Sequence, residues 1–118
     1  MIHIGDAPSH GTRYHSFAER TKPPSWQTNQ NDWDRFADTD SDGEQGKRLM
    51  RALAAKKVDY TFLEVVPFTQ KMTNQFRDWY NECQSKHLPM EVIACPKADL
   101  IPDLVAQQVL ASIKAAAK

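Results

Sequence analysis

Three short apolar runs, Met1 to Ile4, Val58 to Val66 and Met90 to Cys95, alternate along this chain with three stretches of helical periodicity. That alternation constrains the fold more than any other feature. In the second run Tyr60, Phe62, Leu63, Val65 and Val66 are β-formers. The second and third runs are too apolar for clean alternation, which suits strands covered on both faces, as in a parallel sheet. Parallel strands need crossover connections, and the helical stretches supply them. The expected fold class is α/β: a three-layer, Rossmann-like parallel sheet, partly doubly wound, of three strands and three helices. The 118 residues suffice for one small domain.

The helical stretches carry start signals. Ser41-Asp42-Gly43-Glu44 reads as a capping box, followed by the stripe Leu49, Met50, Leu53 and Ala54. Thr69 reads as the cap of a second helix, with Met72, Phe76, Trp79, Tyr80 and Cys83 at helical spacing. Asp99 reads as the opening of a third, with Pro102 in its first turn and Leu104, Val105, Leu110 and Ile113 as its stripe. All three stripes read as core. Between the first strand and the first helix lies a long irregular loop, residues 5–43. Connections beyond about 12–15 residues tend to be functional or disordered. Pro23-Pro24 and the polar stretch Gln27 to Asp32 argue for irregular structure in it, while Trp26, Trp33 and Phe36 argue that parts of it dock.

Charge and cysteine usage narrow the class. Fifteen Lys and Arg balance fifteen Asp and Glu. A dedicated nucleic-acid binder usually carries excess base, so none is expected. The balance hides a local division. Asp32, Asp34, Asp38, Asp40, Asp42 and Glu44 meet only Arg35, and then Lys47, Arg48, Arg51, Lys56 and Lys57 follow without an acid. Acid at a helix start and base along it suits the macrodipole and reads as a solvated face. No apolar run approaches the roughly 20 residues that span a bilayer, so no membrane association is expected. Cys83 and Cys95 form no close pair and no leader-like segment is visible. A cytoplasmic setting is expected, with both cysteines as small apolar residues. Glycine-rich phosphate loops and a nucleophile elbow are absent from the sequence.

Three constellations could carry chemistry. Asp6 follows the first strand, and ligands of open α/β sheets bind at the carboxyl ends of strands. It could contact a hard cation, Mg2+ or Ca2+, weakly in this chain alone, or cap its own turn. His3, Asp6, His10 and His15 cluster locally, although their spacing matches no helix-based metal pair. A small metal-dependent hydrolase built on His10, His15 and Asp6 is the alternative reading. Asp38, Asp40 and Asp42 look like the opening of a calcium loop. The bidentate glutamate due at its twelfth position is Leu49, which leaves a weak, open calcium contact or an acidic loop before a helix.

The segment Ile2-His3-Ile4-Gly5-Asp6-Ala7-Pro8-Ser9-His10-Gly11, with Tyr14-His15 after it, resembles the middle of von Willebrand factor type A-like domains. The nearest version is the one found beside alpha-type protein kinases. Asp42-Gly43 before Leu49, Val58 to Phe62, Thr69 to Met72 with Phe76, and Val109 to Ile113 resemble its later elements in order. The resemblance implies a doubly wound sheet and a metal-ion-dependent adhesion site. It implies that Asp6 is a metal contact, that Ser9, His10, Tyr14 and His15 form the loop around it, and that the function is non-catalytic protein binding. The family's Asp-x-Ser-x-Ser loop and middle-loop threonine have no counterpart, so the implied metal site is incomplete. No kinase catalytic motif is present. The resemblance also implies that the strand beginning at Ile2 belongs in a longer sheet. The expected partner is a protein or an N-terminal half of the domain, with a dimer through the exposed first strand as another route.

Overall fold

The computed structural model describes residues 1–16, Phe36 and residues 38–117. The docking expected of Trp26 and Trp33, and most of the 5–43 loop, lie outside the described residues. The elements run β1 (Ile2–Gly5), α1 (Glu44–Ala55), β2 (Thr61–Glu64), α2 (Gln70–Asn81), β3 (Glu91–Ala94) and α3 (Ile101–Ala116). Short 3-10 turns at Pro67–Thr69 and Ala98–Leu100 lead into α2 and α3.

The three strands form one parallel sheet in the order β1-β2-β3, an α/β arrangement consistent with a Rossmann-like fold. The register pairs Ile2 with Thr61 and Gly5 with Glu64 on one side, and Thr61 with Glu91 and Glu64 with Ala94 on the other. β2 is central, and all four of its residues are buried. That explains its continuous apolar run: neither face meets water.

Alternation along β2 sends Phe62 to one face and Leu63 to the other. The Phe62 face carries the main core. There Met50 and Ala54 of α1 and Met72, Phe76 and Tyr80 of α2 pack around Phe62, with Tyr14, Tyr60 and Met90. With the strands in the order β1-β2-β3, crossovers that follow the usual right-handed rule would place α1 and α2 on one face, and the two helices do pack together. The Tyr80 hydroxyl donates to the Val58 carbonyl at 2.6 Å, anchoring α2 to the entry of β2.

α3 lies against the other face. Its Gln108 meets Thr61 at 3.4 Å, and Ser112 donates to Asp59. The expectation that its stripe is core does not hold. No residue of α3 is fully buried, and Leu110 and Ile113 are 51% and 60% exposed. The stripe mixes two sides of the helix. Leu104 and Val105 are half-buried, whereas Leu110 and Ile113 point away.

Two helix starts also differ from expectation. Gly43 rather than Ser41 occupies the cap position of α1, with a φ of 74°. Thr69 does sit at the cap of α2, but its hydroxyl caps nothing. It donates instead to Glu64 at 2.9 Å.

Burial raises the core phenols: Tyr60 is pushed up to about 12, and Tyr14 and Tyr80 are raised as well. An unfolded tyrosine titrates near 10. A raised folded value means the stabilisation is complete below about pH 10 and is lost as pH rises toward 12. Alkaline unfolding is therefore expected in that window. A pH series of urea melts should show stability falling less steeply between about pH 10 and 12 in Tyr60→Phe than in the parent; equal slopes would contradict it.

Candidate functional site

The carboxyl ends of the three strands bring together Gly5-Asp6, Glu64-Val65 and Ala94-Cys95. On the α3 side they border an open cleft of about 480 Å³, lined by Ile4, Asp6, Val65, Cys95, Pro96 and Ile101 among others. Asp6 is exposed at its rim. Among the described residues it has no hydrogen-bond partner. Cys95 is 1% exposed, and its thiol meets the Lys97 carbonyl at 3.3 Å. Cys83 is half-buried, and both cysteines are free.

On the α2 side the sheet end is closed by a polar cluster that the sequence did not announce. Glu64 is 9% exposed, and one carboxylate oxygen accepts from Thr69 at 2.9 Å and from Thr73 at 3.3 Å. Thr69 and Thr73 stand four residues apart on one helix face, so both hydroxyls reach the same oxygen. The usable signal was that spacing, following a strand that ends on a carboxylate. Thr69→Val keeps the shape but removes the shorter bond. It should cost about 2 kcal/mol in a thermal or urea melt, with Thr69→Ser restoring most of it; a Thr69→Val variant as stable as the parent would contradict the cluster.

The loop after β1 is tied down from several directions. The Ser9 amide and hydroxyl both contact the Met72 sulfur, at 3.3 and 3.4 Å. Lys71 donates to the carbonyls of Thr12 at 2.5 Å and His15 at 3.1 Å. Gly11 adopts a φ of 111°, closing the turn in which the Tyr14 amide reaches the Gly11 carbonyl.

Tyr14 carries the loop onto α1. Its ring is 2% exposed and sits against Phe76 and Trp79. Its hydroxyl donates to Asp40, and Arg13 donates to the Ser41 carbonyl at 2.9 Å. Asp40 in turn accepts the amides of Gln45 at 2.9 Å and Gly46 at 3.0 Å. Asp40 therefore satisfies free amides at the start of α1, a task the capping-box reading gave to Ser41. Partial burial disfavours its charge, but the bonds from Tyr14, Gln45 and Gly46 outweigh burial and hold it below the usual carboxylate range. Burial, then the Asp40 bond, raises Tyr14 in the opposite sense. Asp42 accepts the Glu44 amide at 3.1 Å, and Asp38 is exposed.

The histidines stand in different surroundings. His3 meets the Tyr60 hydroxyl at 2.8 Å and lies edge-on to Phe62, and burial lowers its pKa. His10 is exposed beside the Phe36 ring. His15 is 3% exposed behind the Lys71 contact. Among the described residues, no three His, Cys, Asp or Glu side chains come together as metal donors. Magnesium asks for near-octahedral oxygen coordination and calcium for six to eight oxygens. Asp6 alone does not fit either ion.

Among the described residues no helix is long and apolar enough to cross a membrane. No family model, curated protein or solved structure matches the chain.

Proposed function

We propose that this chain is a non-catalytic protein-interaction domain, part of a von Willebrand factor type A-like sheet of the kind that accompanies alpha-type protein kinases. In this reading Asp6 marks the binding end, as the remaining carboxylate of an incomplete metal site. Ser9, His10, Tyr14 and His15 shape the loop around it rather than ligate metal.

The supporting observation is the open edge of β1. The Thr61 amide donates to the Met1 carbonyl, and the Val65 amide to that of Gly5. Alternate residues of a parallel strand turn their backbone groups to opposite sides, so those of Ile2 and Ile4 point away from β2. Among the described residues no strand pairs with that side. Ile4 is 47% exposed beside Asp6, where the cleft opens. An unpaired edge with apolar side chains is a template for strand addition by another polypeptide.

Among the described residues His10, His15 and Asp6 form no group of metal donors, which speaks against the hydrolase built on them. The purified chain should show no Mg2+- or Mn2+-dependent turnover of phosphomonoesters or esters above the level of Asp6→Ala. Its melting temperature should not respond to chelator. Metal-dependent turnover that Asp6→Ala abolishes would overturn the reading.

A further inference from the structure

We propose that α3 is a self-association surface through which two copies of the chain pair, helix against helix and antiparallel. The proposal rests on reading the chain as an interaction domain and names one occupant for one of its faces.

α3 turns Ile101, Leu104, Val105, Gln108 and Ser112 toward the sheet, all half-buried. The opposite side is also apolar. Leu110 and Ile113 are 51% and 60% exposed there, with Ala106 one turn before Leu110. Asp103, Ala106, Leu110, Ile113 and Ala117 follow the alternating three- and four-residue spacing of a two-helix seam. A helix that is apolar on both sides belongs in an interior.

Charge identifies what covers it. Asp103 and Lys114 are the sole charged residues of this 16-residue helix. Both are exposed. Eleven residues separate them, about three turns and roughly 16 Å, so they lie on the same side, flanking Leu110. A second copy running antiparallel brings its Lys114 opposite Asp103 and its Asp103 opposite Lys114. The two-fold axis makes the contact twice, as an isologous interface requires. The same symmetry sets Ala106 of one copy against Leu110 of the other, small against large. A parallel pair would instead stack like charges. Each charge also suits its end of the helix dipole, but that role is indifferent to the charges of a neighbour.

The test uses that difference. Sedimentation equilibrium of the full chain should show a dimer for the parent. It should show dissociation at least about tenfold easier for Asp103→Lys and for Lys114→Asp, since each places two like-charge pairs across the seam. A 1:1 mixture of the two variants makes both pairs complementary again and should recover the dimer. An unfolded variant would not be rescued by mixing, so far-UV circular dichroism is read in parallel. If a reversal unfolds the chain, Asp103→Asn and Lys114→Gln replace it, and each should weaken the dimer about threefold. A monomeric parent would overturn the proposal, as would a dimer indifferent to these substitutions or a mixture that stays dissociated. A monomeric parent that still captures another polypeptide along β1 would overturn self-association alone and leave the interaction-domain reading standing.

Discussion

Gly11→Ala is expected to lower the stability of the chain by about 3 kcal/mol or more. Two effects act together. The φ of 111° at Gly11 is one that a residue with a β-carbon rarely adopts. The new methyl would also lie 2.3 Å from the Thr39 carbonyl oxygen. That oxygen belongs to backbone rather than to a flexible side chain, and the Thr39 amide bonds the Phe36 carbonyl at 2.9 Å, so moving it disturbs that turn. Relief would require separating the β1 loop from the turn that precedes α1, and with it the Tyr14 to Asp40 bond. A urea melt should show a lower midpoint at nearly unchanged slope. A midpoint equal to that of the parent would show that the Gly11–Thr39 approach is not part of the folded chain.

Phe62→Ala is expected to cost about 3–5 kcal/mol. Phe62 is fully buried in the central strand, and its ring lies across β1. A β-carbon at Gly5 would stand 2.5 Å from the ring tip, which is why that position carries none. His3 closes the ring from the side, with centroids 4.5 Å apart. Strands held by hydrogen bonds on one side and two packed helices on the other leave the site little freedom to collapse. Phe62→Leu should recover roughly half of the loss, because less volume is removed. A cost under about 1 kcal/mol for Phe62→Ala would mean that the face shared by α1 and α2 is not the main core.

Much of this architecture was legible in the sequence. The runs at Ile2, Phe62 and Val92 gave three strands, and alternation with helical stretches gave a parallel sheet, because parallel strands cannot be joined by short turns. The stripe of α2 named Met72, Phe76 and Tyr80 as core, and they are buried. The start of α1 was not legible. Ser41 and Glu44 have capping-box spacing, yet the positive φ values of Asp40 and Gly43 fold the chain so that Asp40 reaches Gln45 and Gly46. Spacing rules do not see that bend. The direction of α3 was illegible for another reason. Apolar residues populate nearly all of its circumference, so periodicity names no inward face. At the site, the place of Asp6 follows from its position after β1. Glu64 did not stand out, because a glutamate closing an apolar run looks like a strand reaching water. Its burial depends on Thr69 and Thr73, which arrive from the next helix.

The central claim is that the open β1 edge beside Asp6 receives another polypeptide. A photo-activatable amino acid at Ile4, in the cells that make the protein, tests it most directly, with the same probe at Leu49 as a control. Leu49 is similarly exposed, at 55%, but lies on α1, across the sheet from α3. Irradiation should yield a discrete polypeptide adduct from Ile4 and none from Leu49. The absence of any adduct from Ile4, or equal and diffuse labelling from both positions, would contradict the account.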